Sequence, residues 1–590
     1  MDIFSVFTLL GGLALFLYGM NVMGAGLDRV AGGRLERILE KLTSNPIKSV
    51  CFGAFVTAVI QSSSATTVMV VGFVNSGIMK LSNAVGIIMG ANLGTTATAW
   101  ILSLTGLEGD SFIVKLFKPS SFSPILAFIG ILLFMISKKD RRKDIGTILV
   151  GFAILMTGME SMSGAVKPLA DVPEFRNILI MFSNPLLGVL TGALLTAIIQ
   201  SSSASVGILQ ALSTTGGLTY GSAIPIIMGQ NIGTCVTALL SGIGANKNAR
   251  RVGLVHLYFN LIGTIAFLAI FYGIQYTIGF PFIHNSVDAV SIATVHTLFN
   301  LFSTVLLLPF AKGLEKLACL TIKDDEPIEK KDSFDTIRGL DERFLASPSF
   351  TVDQCKDLTK QMATLAKDTL LTSIQLMEHY NEDTASEIIA CEDKIDKYED
   401  VIGTYLVKLS SKSLSIEHSK DVSVALHIIG DLERIGDHAV NLKDVAKELY
   451  QKKIKFSPQA QEELRVMTRA LTDVLTQTIR AFETYDLNLC KQIEPLEEVV
   501  DNLRIELKDR HIRRLQSGNC TTELGFIFSD ILTNYERVSD HCSNIAVCLL
   551  QVDENSFETH SYMHEIKYAG ESSFTQQYEA VREKYQLPDK

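Results

Sequence analysis

Basic residues are in deficit in this 590-residue chain: 53 Lys+Arg stand against 63 Asp+Glu, a net charge of −10. The shortage belongs to one part. Up to residue 320 there are 20 basic and 13 acidic residues; beyond it there are 33 and 50. An acidic, charge-dense second half has nothing to neutralise phosphates along a backbone, which excludes nucleic acid as a partner. No C-x-x-C pair occurs among the nine cysteines, and the six in the second half are scattered. That fits free thiols in a reducing cytosol and argues against a disulfide framework. P-loop, metalloprotease and nucleophile–base patterns are all missing, so the serine runs described below lack an activating base and no enzyme is expected. Carboxylates are scarce in the apolar first part. Glu160 is the one well inside a candidate span, and an intramembrane carboxylate is a functional candidate.

What fills the first part is long apolar sequence. A spanning helix needs about 20 such residues, and seven segments qualify: 4–27, 81–104, 121–137, 144–168, 220–243, 252–276 and 287–310. The first lacks a basic n-region and belongs to a repeat, so it reads as a retained helix and not a signal peptide. Two more stretches, Pro46–Met79 and Pro185–Thr219, are broken midway by polar residues. Their arms are too short to cross alone, and each reads as a re-entrant hairpin. Basic clusters follow the first, third and fifth spans: Arg29 to Lys48, Lys138 to Lys143, and Lys247 to Arg251. All fall on the side of the acidic half, which predicts a cytoplasmic-membrane protein with its N-terminus outside and its C-terminus inside.

The first part is internally duplicated at an offset of 139 residues. Asn45-Pro46 matches Asn184-Pro185, and Gln61-Ser62-Ser63-Ser64 matches Gln200-Ser201-Ser202-Ser203. Gly90-Ala-Asn92-Leu-Gly94-Thr95 matches Gly229-Gln-Asn231-Ile-Gly233-Thr234. Three crossings separate the copies, which predicts inverted topology and a substrate site near the midplane where they meet. Each Gln-Ser-Ser-Ser run would start a helix there, aiming free amides at the centre. Two such N-termini suit an oxyanion held by dipoles and hydroxyls, since no Lys or Arg lies in these motifs. The Gly-Asn-Gly-Thr segments suggest local unwinding that frees carbonyls for an ion such as Na⁺. Scattered Gly11, Gly12, Gly151 and Gly192 read as helix-packing residues, and His256 and His296 as interhelical hydrogen-bonding groups.

The second half is helical throughout, with apolar positions three and four apart. Six helices, at 352–381, 384–411, 417–451, 457–484, 486–516 and 522–552, suggest two three-helix bundles. Glu433-Arg-Ile-Gly-Asp437-His mirrors Glu536-Arg-Val-Ser-Asp540-His, while Glu392 and Asp396 mirror Glu497 and Asp501. Acidic residues at i and i+4 share a helix face, and opposed faces could gather carboxylates around a divalent metal.

The doubled Gln-Ser-Ser-Ser run, each followed by Gly-x-Asn-x-Gly-Thr, resembles the type II sodium/phosphate cotransporters over residues 5–310. The resemblance implies a Na⁺-coupled carrier of inorganic phosphate. It places Gln61, Ser62, Ser63, Ser64, Gln200, Ser201, Ser202 and Ser203 around phosphate. Asn92, Thr95, Asn231 and Thr234 become sodium candidates, joined by Thr66 and Glu160. Departures are Ser205-Val206 where the first copy has Thr66-Thr67, and Gln230 and Cys235 against Ala91 and Thr96. The acidic blocks resemble the PhoU family over 350–552. That implies regulation of phosphate handling, with metal clusters at Glu433, Asp437, Glu536 and Asp540 and weaker candidates at Glu392, Asp396, Glu497 and Asp501. The expected architecture is all-α. A polytopic membrane domain (1–318) holds inverted repeats at about 5–137 and 144–275, re-entrant hairpins and an extra span at 287–310. A linker (319–350), a PhoU-like pair of three-helix bundles (351–552) and a polar tail (553–590) follow. Partners are phosphate, sodium and membrane lipid, and a homodimer is one expectation for the assembly. Alternatives are a phosphate exporter, a carrier of another small anion, or a phosphate-sensing receptor.

Overall fold

The computed structural model describes residues 3–31, 45–106, 118–137, 139–172, 174, 181–323, 340–412, 414–554 and 571–588, and almost every element is an α-helix. Two units separate: Met1–Thr351 with Ser413–Ser415, and Val352–Lys412 with Ile416–Lys590. The first holds α1 (Ile3–Ala31), α2 (Pro46–Ile60), α3 (Ser63–Asn75), α4 (Leu81–Ser103), α5 (Pro119–Ile136) and α6 (Asp140–Val166). It continues with α7 (Pro185–Ile199), α8 (Ser202–Ser213), α9 (Tyr220–Ser241), α10 (Lys247–Thr277), α11 (Ala289–Leu307) and α12 (Ala311–Thr321).

Local chemistry explains where the hairpins begin. Asn45 and Asn184 cap α2 and α7, each side-chain oxygen accepting from two first-turn amides, with proline at the first helical position. Six helices are long and apolar enough to span. The third expected span is α5, of 18 residues, the shortest of the seven helices found at the expected positions; the six that are long and apolar enough to cross are counted among the described residues. The exposed faces carry Phe7, Phe128, Met135, Leu186, Ile198 and Val305, as a lipid-facing belt requires.

The repeats are inverted, and glycine contacts show it. Helices α1 and α6 are counterparts at the 139-residue offset, and they pack on each other. A Cβ on Gly12 would lie 3.0 Å from the Gly158 carbonyl oxygen; one on Gly19 would lie 2.7 Å from that of Gly151. Rising numbers on α1 meet falling numbers on α6, so the helices are antiparallel. Gly12 corresponds to Gly151 and Gly19 to Gly158, so each contact is the other's symmetry mate across an internal two-fold. Gly11, expected to pack, faces open space.

Inside each copy the same device recurs. A Cβ on Gly90 would lie 2.1 Å from the Val50 carbonyl oxygen, and one on Gly229 2.0 Å from that of Val189. The expectation of unwinding at Gly90–Thr96 and Gly229–Cys235 is therefore corrected: α4 and α9 run unbroken through these segments. Their glycines serve close backbone approach to α2 and α7, which any side chain would prevent.

Residues 341–350, read as linker, pack onto the membrane unit as a strap. Phe344 and Phe350 are fully buried against Phe73 of α3, with ring centroids 5.2 and 5.3 Å away. Asn75 donates to Asp341 at 2.6 Å, and Arg343 donates to the carbonyls of Ser241 (2.6 Å) and Ile243 (3.2 Å) past the end of α9. Ser347 donates to Asp28 of α1 at 3.0 Å.

The second unit holds α13 (Pro348–Leu376, shared at its start with the strap), α14 (Glu382–Ser410), α15 (Ile416–Lys452), α16 (Pro458–Thr484), α17 (Leu487–Gln516), α18 (Thr522–Glu554) and α19 (Glu571–Lys584). Helices α14 and α15 pair, α16, α17 and α18 pack together, and α15 meets α18. Lys356 on α13 reaches Asp421 at 3.0 Å, tying α13 to α15. The tail, read only as polar, contributes α19, and Tyr585 after it is 3% exposed. Lys584 pairs with Asp473 at 2.6 Å.

Candidate functional site: the two hairpin tips

Each tip is a helix end and a helix start separated by two residues. Gln61 closes α2 in left-handed conformation (φ 61°, ψ 24°), Ser62 is extended, and α3 begins at Ser63. Gln200 closes α7 with φ 58° and ψ 23°, Ser201 is extended, and α8 begins at Ser202. A non-glycine residue at positive φ is uncommon and strained; only four occur among the described residues, and two are these glutamines. At the first tip side-chain bonds hold the turn. Gln61 Nε2 donates to the Ala58 carbonyl, and its Oε1 accepts from Thr98 at 3.0 Å.

Ser62 and Ser201 cap α3 and α8, their hydroxyl oxygens accepting from Ala65 N at 3.1 Å and Ala204 N at 3.2 Å. The first amides of each helix have no intrahelical acceptor and carry the positive end of the helix dipole. Ser63 is 8% exposed, and Ser202 and Ser203 are 5% and 7%. The tips meet: Ser64 Oγ donates to the Gln200 carbonyl oxygen at 3.5 Å. That contact brings together two serine-rich tips, each at a helix N-terminus, and such amides and hydroxyls suit a compact oxyanion.

The sodium candidates spread over several environments. Thr66 is fully buried, donates to the Ser62 carbonyl (3.1 Å) and accepts from Thr57 (3.1 Å), so its hydroxyl is engaged. Asn92 Oδ1 faces His256 Nε2 at 3.2 Å, linking α4 to α10 as expected of that histidine. Both nitrogens of His296 lack partners among the described residues, and so does Asn92 Nδ2. Thr95, Asn231 and Thr234 bond to carbonyls of their own helices. Glu160 lies on an exposed face of α6, apart from the buried groups around the tips. Thr57, Thr98 and Thr196 are not among the residues the sequence singles out, and Gln230 enters there only as a departure from the repeat. Thr57 and Thr196 stand at the repeat offset, four residues before each Gln, and that alignment is the signal that could have found them.

In the helical unit two triads of carboxylates converge: Glu392, Asp396 and Asp437, then Glu497, Asp501 and Asp540, each with oxygens within 4.8 Å of one another. Glu433 and Glu536, ranked first from sequence, fall outside the triads. Glu536 lies 3.8 Å from Arg504 and Glu433 3.5 Å from Arg434. Burial and neighbouring carboxylates push Glu392, Asp396 and Asp540 upward from the ordinary carboxylate range. Such groups could take a divalent cation, which would relieve that repulsion.

Inverted repeats, hairpins meeting at dipole-rich tips and an attached helical domain with paired acidic triads define a membrane carrier with a regulatory domain. The model of the Na⁺/Pi-cotransporter family matches residues 15–164 and 155–291, and that of the PhoU domain matches 359–445 and 464–549. YjbB of Escherichia coli, named for inorganic phosphate export, is 25% identical over 560 residues, covering 93% of this chain and 98% of that one. YqeW of Bacillus subtilis is 30% identical over 308 residues, covering 52% of this chain and 95% of that one. The rat sodium-dependent phosphate transport protein 2A is 37% identical over 99 residues, 16% of this chain and 15% of that one. The chain belongs to the Na⁺/Pi-cotransporter family and carries PhoU domain sequence twice; it is a transporter and not an enzyme.

Proposed function

We propose that this protein moves inorganic phosphate across the cytoplasmic membrane together with sodium. The N-terminus lies outside, and the PhoU-like domain regulates from the cytoplasm. The observation that supports the reading is the meeting of the two tips, Ser64 with Gln200, which brings two helix N-termini near one another. Dipoles and hydroxyls grip phosphate without a fixed cationic partner, and co-bound sodium balances its charge. Family membership and the rat relative's printed name support sodium as the coupling ion. The strap gives regulation a covalent route, since the residues packed on α3 continue directly into α13. The acidic triads hold divalent cations in this reading, and their loading sets the state of the domain.

Radiolabelled phosphate flux in proteoliposomes, under imposed sodium and phosphate gradients, tests this. Flux driven by a sodium gradient is expected; flux indifferent to sodium removes the coupling. Export is the second reading, favoured by the name of the E. coli relative that spans most of this chain. Net outward movement of phosphate against its gradient would establish it. Saturable binding without flux would make the protein a receptor.

A further inference from the structure

Among the places where the two copies of the repeat differ, one buried difference has the chemistry of a cation site. In the first copy Thr57 and Thr66 bond to each other at 3.1 Å, Thr66 also donates to the Ser62 carbonyl, and the adjoining helix offers Ala91. Every hydroxyl there is engaged. In the second copy the counterparts are Thr196, Ser205 and Gln230, each fully buried. Thr196 Oγ1, Ser205 Oγ and Gln230 Oε1 all lack a hydrogen-bond partner among the described residues. Hydroxyls of the first copy's helices, such as those of Thr67 on α3 and Thr95 on α4, donate to the carbonyl four residues back; those of Thr196 and Ser205 have no such bond.

Contacts set Gln230 against Ser205, and α9 against the turn of α7 that carries Thr196. Gln230 Nε2 donates to the Ser205 carbonyl at 3.0 Å, which fixes the amide and turns its oxygen away from that carbonyl. A Cβ on Gly192 of α7 would lie 2.9 Å from Gln230 N, and one on Gly233 of α9 2.7 Å from Thr196 Cβ. The Gln200 amide donates to the Thr196 carbonyl at 2.7 Å, so the place lies one helical turn below the second tip. Three unpartnered buried oxygens on α7, α8 and α9 are costly as they stand. Neutral oxygens of hydroxyl and amide type are what a hard monovalent cation takes.

We infer that Thr196, Ser205 and Gln230 form a sodium site that the second repeat has and the first lacks. The inference rests on the sodium-coupled reading and specifies which residues hold one ion. The site lies beneath the amides that face phosphate, so its charge strengthens the anion site directly above it. Occupancy by a buried water in place of the ion would leave the same oxygens satisfied, and sodium dependence separates the two.

The test is sodium binding to the full-length chain in detergent without phosphate. It is read as the shift in thermal unfolding between choline and sodium chloride and as radioactive sodium bound at equilibrium. Wild type is stabilised by sodium. Gln230→Ala, which copies Ala91, and Ser205→Ala each raise the half-saturating sodium concentration by about tenfold or more, the scale of one lost ligand. Ser205→Ala unfolds at or above the wild-type temperature in choline, because only an unpartnered hydroxyl has been removed, whereas a merely structural serine would lose stability there; Gln230→Ala also loses its bond to the Ser205 carbonyl and is read by its sodium midpoint alone. Equal midpoints for wild type and both second-copy variants overturn the site while leaving sodium coupling intact. Absence of any sodium effect on wild type, with sodium-independent phosphate flux, overturns the site together with the reading it rests on.

Discussion

The two hairpins share one pattern and differ in what surrounds it. The first is buried and tied down: Gln61 is 8% exposed and bonded to Thr98, Thr57 and Thr66 bond to each other, and Phe73 lies under the strap. At the second tip Gln200 is exposed, while the outer faces of the two first arms are alike, Leu186 and Leu194 of α7 being 76% and 54% exposed against 62% and 56% for Ile47 and Phe55 of α2. Backbone geometry at the tips is nearly identical, so the turn itself belongs to the Gln-Ser-Ser-Ser motif and the anchoring to its context. An anchored tip facing an exposed one suits alternating access, in which one element moves against the other around a shared site. The acidic triads offer the opposite case, a duplication whose copies stay alike.

The largest expected effect tests the anchoring. Phe73→Ala should lower stability by about 3–5 kcal/mol, as for a fully buried phenylalanine. Leu212→Ala, at the same place in the second hairpin but half-buried, should cost less than about 2 kcal/mol. Unfolding of the solubilised chain reads both, and equal losses would erase the difference. Next are the triads. A divalent cation at 100 times its dissociation constant should stabilise the helical domain by about 2.7 kcal/mol for each triad it fills, about 5.4 kcal/mol for both, with Asp437→Asn and Asp540→Asn each removing one of two bound ions. The raised carboxylates bind protons more tightly when folded, so without metal the domain gains stability as pH falls through their range. Metal stabilisation measured near pH 7 should therefore fade toward about pH 5, where protons compete.

Ser62→Ala and Ser201→Ala should each lower phosphate flux by more than about tenfold, since a hydrogen bond to a charged group is worth about 1.5–3 kcal/mol. The cap lost with either costs about 1 kcal/mol of stability, too little to unfold the chain. Similar losses in both would show the tips acting as one site despite their different surroundings. The smallest effect is at the hydroxyl pairs: Thr66→Val should cost about 1 kcal/mol by leaving Thr57 unpaired, while Thr196→Val in sodium-free buffer should cost nothing.

The tips were legible because a polar block inside an apolar stretch has one economical explanation, a break in the helix at membrane depth. The inversion was legible from crossing number, and the α1–α6 contacts bear it out. Gly90 and Gly229 misled because glycine in a membrane helix marks either unwinding or close approach, and only the partner at 2.0–2.1 Å decides. The strap was hidden by composition: Asp341, Arg343, Ser347 and Ser349 read as solvated linker, yet each bonds to the membrane unit, and Phe344 and Phe350 carry the burial. Thr57 and Thr196 passed unnoticed because isolated threonines are ordinary in membrane helices. Their pairing in one copy and isolation in the other needs coordinates.

The central claim is that both tips touch the same phosphate ion. Cysteines placed singly at Ser64 and Ser203 should react with a small methanethiosulfonate, and phosphate should slow both reactions together, over one concentration range, with modification located by mass spectrometry. Protection at one tip with unchanged reactivity at the other would contradict a shared anion site.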